Sequence, residues 1–161
     1  MPFILVKIAS NPVTHMNTTG QRRILATPAD IHRHFGSATA MQACLPPHDS
    51  FTGSLPAGYD FAVSRKIGLF GVTFRGRITF AEAREGEAYV MDITGSSPVS
   101  GRLAAQVTLH LTPRPRATLI ACEARYEPNS WMKILGAERV ERAFTTGVGA
   151  FLDRLKATLE A

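Results

Sequence analysis

The stretch that decides the fold is Trp131–Leu159, WMKILGAERVERAFTTGVGAFLDRLKATL. Its apolar residues fall at Trp131, Ile134, Leu135, Val140, Phe144, Val148, Phe151, Leu152, Leu155 and Leu159. Steps that are mostly three and four put them on one face of a helix, so the spacing predicts a long amphipathic helix here. The chain before it reads as strand after strand. A single such helix after a run of antiparallel strands must lay its apolar face on their sheet, because nothing else covers it. A curved sheet holding one helix leaves a cavity between them, a shape suited to an apolar guest.

Working outward, the strands state their faces by parity. Tyr59, Phe61, Val63, Ile67 and Leu69 alternate with Asp60, Ala62, Ser64 and Lys66, a period of two. Val72, Phe74, Ile78 and Phe80 alternate with Thr73, Arg75, Arg77 and Thr79. Gly68-Leu69-Phe70-Gly71 between them predicts a hairpin turn. That turn pairs odd positions before it with even positions after it, so both apolar sets face one side. Tyr89, Met91 and Ile93 continue the sheet after a Glu85-Gly86 turn, and Gly95-Ser96-Ser97-Pro98 is read as the next turn. Leu103, Val107, Leu109 and Leu111 follow, then Pro113-Arg114-Pro115. Thr118, Ile120, Cys122, Ala124 and Tyr126 form the inner face of the last strand.

Before the strands, Thr19–Ala26 reads as the first strand of the main sheet. Thr27-Pro28-Ala29-Asp30-Ile31 opens a short helix running to about Phe35, with Thr27 as cap, Pro28 at the first position and Asp30 favourable to the dipole. A second short helix spans about Ala38 to Cys44. Residues 3–8 read as an extra N-terminal strand, and a single domain over residues 1–161 is expected.

Composition bounds the partners. The 161 residues are 45% hydrophobic and 19% charged, ordinary for a globular protein. A net charge of +5 and a pI near 9.7 favour anionic partners without choosing among them. No exposed face interleaves aromatic and basic residues, which argues against nucleic acid. No run approaches the ~18 apolar residues of a membrane span. The apolar start, Met1–Ile8, is too short for a signal peptide and lacks a basic leader. A cytoplasmic protein, at most peripheral at the membrane, is therefore expected. Cys44 and Cys122 lie far apart, outside any metal-ligand spacing, and read as buried small hydrophobes.

The order of strand, two short helices, consecutive strands and long helix resembles the α+β helix-grip fold of the START-like (SRPBCC) superfamily. Within it the chain resembles the CoxG family of carbon monoxide dehydrogenase proteins. The pieces that carry the likeness are Ala26-Thr27-Pro28-Ala29-Asp30-Ile31, Ala43-Cys44-Leu45-Pro46, Phe74-Arg75-Gly76-Arg77-Ile78, and Ile134-Leu135-Gly136 with Arg139. It runs from about residue 19 to 157. Pro47 departs from the pattern, where the family usually has glycine, and the first dozen residues have no counterpart. The resemblance implies a curved antiparallel sheet of six to seven strands around the helix. It also implies an accessory role to a molybdenum-type carbon monoxide dehydrogenase or related hydroxylase, in membrane recruitment or handling of the electron acceptor. Some relatives carry a C-terminal membrane anchor; the stop at Ala161 argues against stable attachment.

No catalytic signature appears: no HExxH, GxSxG, CxxC or phosphate loop. His32 and His34, two apart on a short helix, point different ways and make a poor metal pair. No metal and no cofactor are expected. The binding reading names Tyr59, Phe61, Phe74, Phe80, Met91, Phe144, Val148 and Phe151 as lining, with Arg65 or Tyr89 as the polar contact. Arg65 is the one charge in an apolar series, with Glu82 on the next strand as its expected partner, or else it snorkels to water from the rim. The hairpin tip, with Leu69 and Phe70 flanked by Lys66 and Arg75, could touch an anionic membrane transiently or fold back over the core. The terminal helix's mixed charges, with Glu138 placed to pair with Arg142, read as solvated surface. Gly147 and Gly149 interrupt that helix and mark where ligand size would be decided. The alternative to binding is a cyclase- or hydrolase-like enzyme on the same fold.

Overall fold

In the computed structural model the alternating runs pair into one antiparallel sheet. The structure describes residues 16–45, 48–55, 57–67 and 70–161, with the backbone alone at 16–18, 65–67 and 70. The strands are β1 (Met16–Ile24), β2 (Ser50–Ser54), β3 (Gly58–Ile67), β4 (Phe70–Arg84), β5 (Ala88–Ser97), β6 (Gly101–Arg114) and β7 (Ala117–Tyr126). The helices are α1 (Pro28–Phe35), α2 (Ala38–Gln42), α3 (Ser130–Leu135) and α4 (Ala137–Glu160). Spatial order is β1-β7-β6-β5-β4-β3-β2, so α1 and α2 bridge the two edges and every later strand joins its predecessor.

The register follows from the parities. Tyr59 opposes Ile78, Phe61 opposes Gly76 and Val63 opposes Phe74, odd against even. Directly opposed residues share a face, so the apolar sets of β3 and β4 lie on one side. The α1 start is a capping box, with Thr27 Oγ1 accepting from Asp30 N–H and the Asp30 carboxylate accepting from Thr27 N–H.

Four expectations are corrected. The terminal helix is two helices. Gly136, at φ 97°, breaks the ladder between α3 and α4. Ile134, expected on the buried face, is 82% exposed. Periodicity cannot reveal this, because a bend that resets the helix axis leaves the spacing of apolar letters untouched. Second, Gly95 and Ser96 are strand, and β5 runs to Ser97. Third, β2 is a strand the sequence does not announce: five residues with one buried side chain, Phe51, carry no readable period. Fourth, Glu82 does not face Arg65. A bulge between Phe80 and Glu82 places Phe80 opposite Met91 but Glu82 opposite Val90, moving Glu82 to the other face. Arg65 lies opposite Val72, ten residues from Glu82 along β4, or roughly 30 Å of strand. Glu82 pairs instead with Arg84, 3.0 Å from its Nε. The expected strand at 3–8 and the hairpin tip Gly68-Leu69 lie outside the described residues.

Helix α4 is pinned at one end. Its last turns are buried through Leu152 and Leu155, and a Cβ on Gly20 of β1 would stand 3.2 Å from Leu152 Cδ1 and 3.3 Å from Val148 Cγ1. Glycine thus lets the helix seat directly on β1. Polar ties hold the same end. Arg22 Nε meets Asp153 Oδ1 at 2.6 Å, Lys156 Nζ donates to the Arg23 carbonyl at 2.8 Å, and Leu25 N–H donates to Glu160 Oε2 at 2.9 Å. Nearer its start, Val140 and Phe144 pack with Tyr126 of β7, and between these two anchor points a space remains between α4 and β4 to β7.

Candidate functional site

That space is a chamber of about 440 Å³, within the range of small-molecule sites. Its floor is Phe74 and Ile78 of β4, Met91, Ile93 and Gly95 of β5, and Leu103, Ala105 and Val107 of β6. Cys122 and Ala124 of β7 continue it. Its roof is Phe144, Gly147, Val148 and Phe151 of α4, and its ends are Met41 with Leu45 and Met132. None of the described lining residues is charged. The Cys122 thiol is pushed up to about 12, chiefly by burial and then by the nearby Glu123 carboxylate, so it stays protonated at neutral pH.

The chamber exists because the inner face carries small residues where neighbouring strands carry large ones. A Cβ on Gly95 would fall 2.6 Å from Phe74 Cε1, and one on Gly76 2.4 Å from Phe61 Cζ. Each ring therefore lies flat across the glycine of the next strand instead of rising toward α4. Phe61 and Phe74 are stacked at 6.1 Å. Ala105 and Ala124 keep the floor low on β6 and β7. Small residues at inward parity are the sequence signal for such a floor, one that a search for large apolar residues passes over.

Of the lining expected from sequence, Phe74, Met91, Phe144, Val148 and Phe151 border the chamber. Tyr59, Phe61, Phe80 and Tyr89 belong to the adjoining core. Tyr59 is buried, stacks on Phe51 at 4.7 Å and donates to the Phe35 carbonyl. Phe80 packs edge-on to Tyr59. The Tyr89 hydroxyl is already engaged: it accepts from Gly86 N–H at 3.1 Å and lies 2.6 Å from His32 Nδ1. Tyr89 is fully buried outside the chamber lining, and its hydroxyl secures α1 to the β4–β5 turn. Arg75 is exposed on the outer face, opposite Ser96 and away from the chamber. The side chains of Arg65, Lys66 and Phe70, and the whole of Leu69, lie outside the described residues, and with them the expected membrane contact of the hairpin tip and the expected polar contact of Arg65 with a ligand.

Two features were not legible in the sequence. His34 Nε2 lies 3.1 Å from Cys44 Sγ in a buried contact between α1 and the end of α2. Burial lowers the His34 pKa; burial also raises that of Cys44, against weaker opposing effects of Thr158 and Arg154. Both shifts favour the neutral thiol–imidazole pair, the opposite of an activated thiolate. Among the described residues no cluster of His, Cys, Asp or Glu could hold a metal ion. Second, Tyr126 stacks on Phe144 at 4.0 Å with rings 6° apart, and its buried hydroxyl has no partner among the described residues.

A curved antiparallel sheet closed on one face by a long C-terminal helix, here over an apolar chamber, is the START-like helix-grip fold. Solved structures agree on the fold. A conserved protein from Geobacillus kaustophilus superposes with a TM-score of 0.77 at 13% identity, covering 90% of this chain and 95% of that one. The protein CV1439 from Chromobacterium violaceum gives 0.63 at 18% identity, over 90% and 98%. The di-domain ARO/CYC StfQ from the steffimycin biosynthetic pathway gives 0.68 at 12% identity, over 96% of this chain and 53% of that one. The chain itself belongs to the carbon monoxide dehydrogenase CoxG family, whose model matches residues 20–160. No curated protein matches it by sequence. Among the described residues no helix is long and apolar enough to cross a membrane.

Proposed function

We propose that the chamber binds an apolar, lipid-like or quinone-like molecule, and that the chain acts as an accessory protein to a molybdenum-type carbon monoxide dehydrogenase or related hydroxylase. The observation that carries the reading is the chamber of about 440 Å³ with no charged residue in its described lining. A tight core would have filled such a space, since voids in packed interiors are costly. Binding would draw on apolar burial at ~25 cal/mol per Å². Family membership supports the accessory role, with the partner's membrane recruitment or electron acceptor as the process served. The test is native mass spectrometry and solvent extraction of the purified chain. A co-purified lipid or quinone, or saturable uptake of an added one, is expected. Neither being found would sink the proposal.

The enzyme reading has one observation in its favour, the contact between His34 and Cys44. The neutral state of that pair weighs against nucleophilic chemistry. If the reading is right, Cys44→Ala abolishes a turnover that the parent chain shows on a thioester or polyketide-like substrate.

A further inference from the structure

Outside the roof of the chamber runs a groove of about 730 Å³, bordered by Cys44, Leu45 and one stripe of α4 that includes Arg139, Arg142 and Arg154. Leu45, Ala143, Gly147 and Phe151 border both groove and chamber, so these four residues stand between the two spaces. Gly147 is the weak point of that wall. It is bare backbone, and a Cβ built on it would meet nothing within 4 Å.

The arginines are exposed, and none of the three pairs with a carboxylate among the described residues. The expected Glu138–Arg142 pair is not formed. At 1.5 Å per residue, Arg142 stands roughly 8 Å along the axis before Gly147 and Arg154 roughly 10 Å after it. Side chains lean toward the helix N-terminus, which brings Arg154 back toward Gly147 and carries Arg142 away from it. A group emerging at Gly147 therefore meets Arg154 on its own helix face, while Arg142, roughly 140° round the helix at 3.6 residues per turn, stands further round the same groove. Guanidinium matches carboxylate and phosphate oxygens in paired hydrogen bonds.

We infer that the ligand is a single-tailed amphiphile with an anionic headgroup, carboxylate or phosphate, whose tail passes Gly147 into the chamber while Arg154 holds the head, with Arg142 and Arg139 adding to the local positive field. The inference rests on the chamber reading above and narrows it. The apolar lining supplies no polar contact for a head, and the groove next to it supplies unpaired cations. This stripe of α4 is therefore more than the solvated surface its mixed charges suggest in sequence.

The test is displacement of the neutral fluorophore N-phenyl-1-naphthylamine by decanol, decanoate and decyl phosphate, at low salt and again at higher salt, each below its micelle concentration. The two anions should bind at least tenfold tighter than decanol, and the advantage should shrink with salt. Arg142→Gln with Arg154→Gln should erase the advantage and leave decanol binding unchanged. Gly147→Leu should weaken all three together. Equal binding of all three to the parent chain overturns the headgroup site and leaves the chamber reading standing. No binding of any of them, decanol included, overturns both. Inorganic phosphate competing as well as decyl phosphate overturns the link between head and tail. So does arginine-dependent binding confined to phosphatidylglycerol vesicles, which would give these residues to a membrane surface.

Discussion

Replacing Gly147 by alanine and Gly95 by alanine should move stability in opposite directions. Gly147 lies inside α4, exposed, and a Cβ there meets nothing within 4 Å. Helix propensity then acts alone, and alanine is favoured over glycine by ~0.8–1.0 kcal/mol. For a chain of this size that is a rise in Tm of ~2–4 °C. At Gly95 the added Cβ falls 2.6 Å from Phe74 Cε1 and 2.7 Å from the Arg75 carbonyl oxygen. A backbone oxygen cannot swing aside, and overpacking of this kind costs ~1–3 kcal/mol. Urea unfolding of the two variants beside the parent measures both. A Gly147→Ala chain less stable than the parent would refute the idea that α4 is bare at this point. It would mean that glycine is needed there for close packing, and the passage between groove and chamber would not exist. Stability unchanged at Gly95 would refute the flat placement of Phe74 over the sheet.

Affinity for a homologous series of alkyl probes should rise about fourfold per methylene, from ~0.8 kcal/mol each, then level off once the chamber is full; a flat series in calorimetry would rule out tail burial. Burial alone holds His34 below its ordinary pKa of 6.5, so the unfolded chain protonates first as pH falls. The contribution of neutral His34 is thus complete above pH ~6.5 and is lost progressively below it. Tm measured from pH 7.5 to 5 should fall less steeply in His34→Gln than in the parent, and parallel curves would remove His34 from the account. Tyr126→Phe removes a buried hydroxyl without a partner among the described residues and should raise stability by ~1 kcal/mol; a loss in denaturant titration would show that the hydroxyl is satisfied after all. Thr27→Ala, which opens the α1 capping box, should cost ~1 kcal/mol, and no change in the unfolding midpoint would count against the cap.

The parities of β3 and β4 were legible because a half-buried strand has a strict period of two, and the observed pairing of Tyr59 with Ile78 keeps it. The same reasoning fails at Glu82, where one extra residue in the bulge reverses the faces without leaving a mark in the hydropathy pattern. The lining was half legible. Large apolar letters point to Phe74, Met91, Phe144, Val148 and Phe151, but a cavity is made equally by inward positions too small to fill their share. The Arg65–Glu82 pair fails on distance along a strand, which parity alone ignores.

What the sequence by itself determined is the architecture: the period of each segment, the cap of α1 and the need of one helix for one sheet are all local chemistry. What only the tertiary structure decided is where the helix touches. Gly20 lets α4 seat on β1 while Gly95 and Gly76 draw two rings flat, so a gap is left under the helix between that seat and the Tyr126–Phe144 stack nearer its start. The contacts that seat α4 join residues more than a hundred positions apart, and no period within either segment encodes the gap left beside them. The three arginines follow the same rule. In sequence they were charges on a solvent face; the fold set them along a groove that shares Gly147 with the chamber.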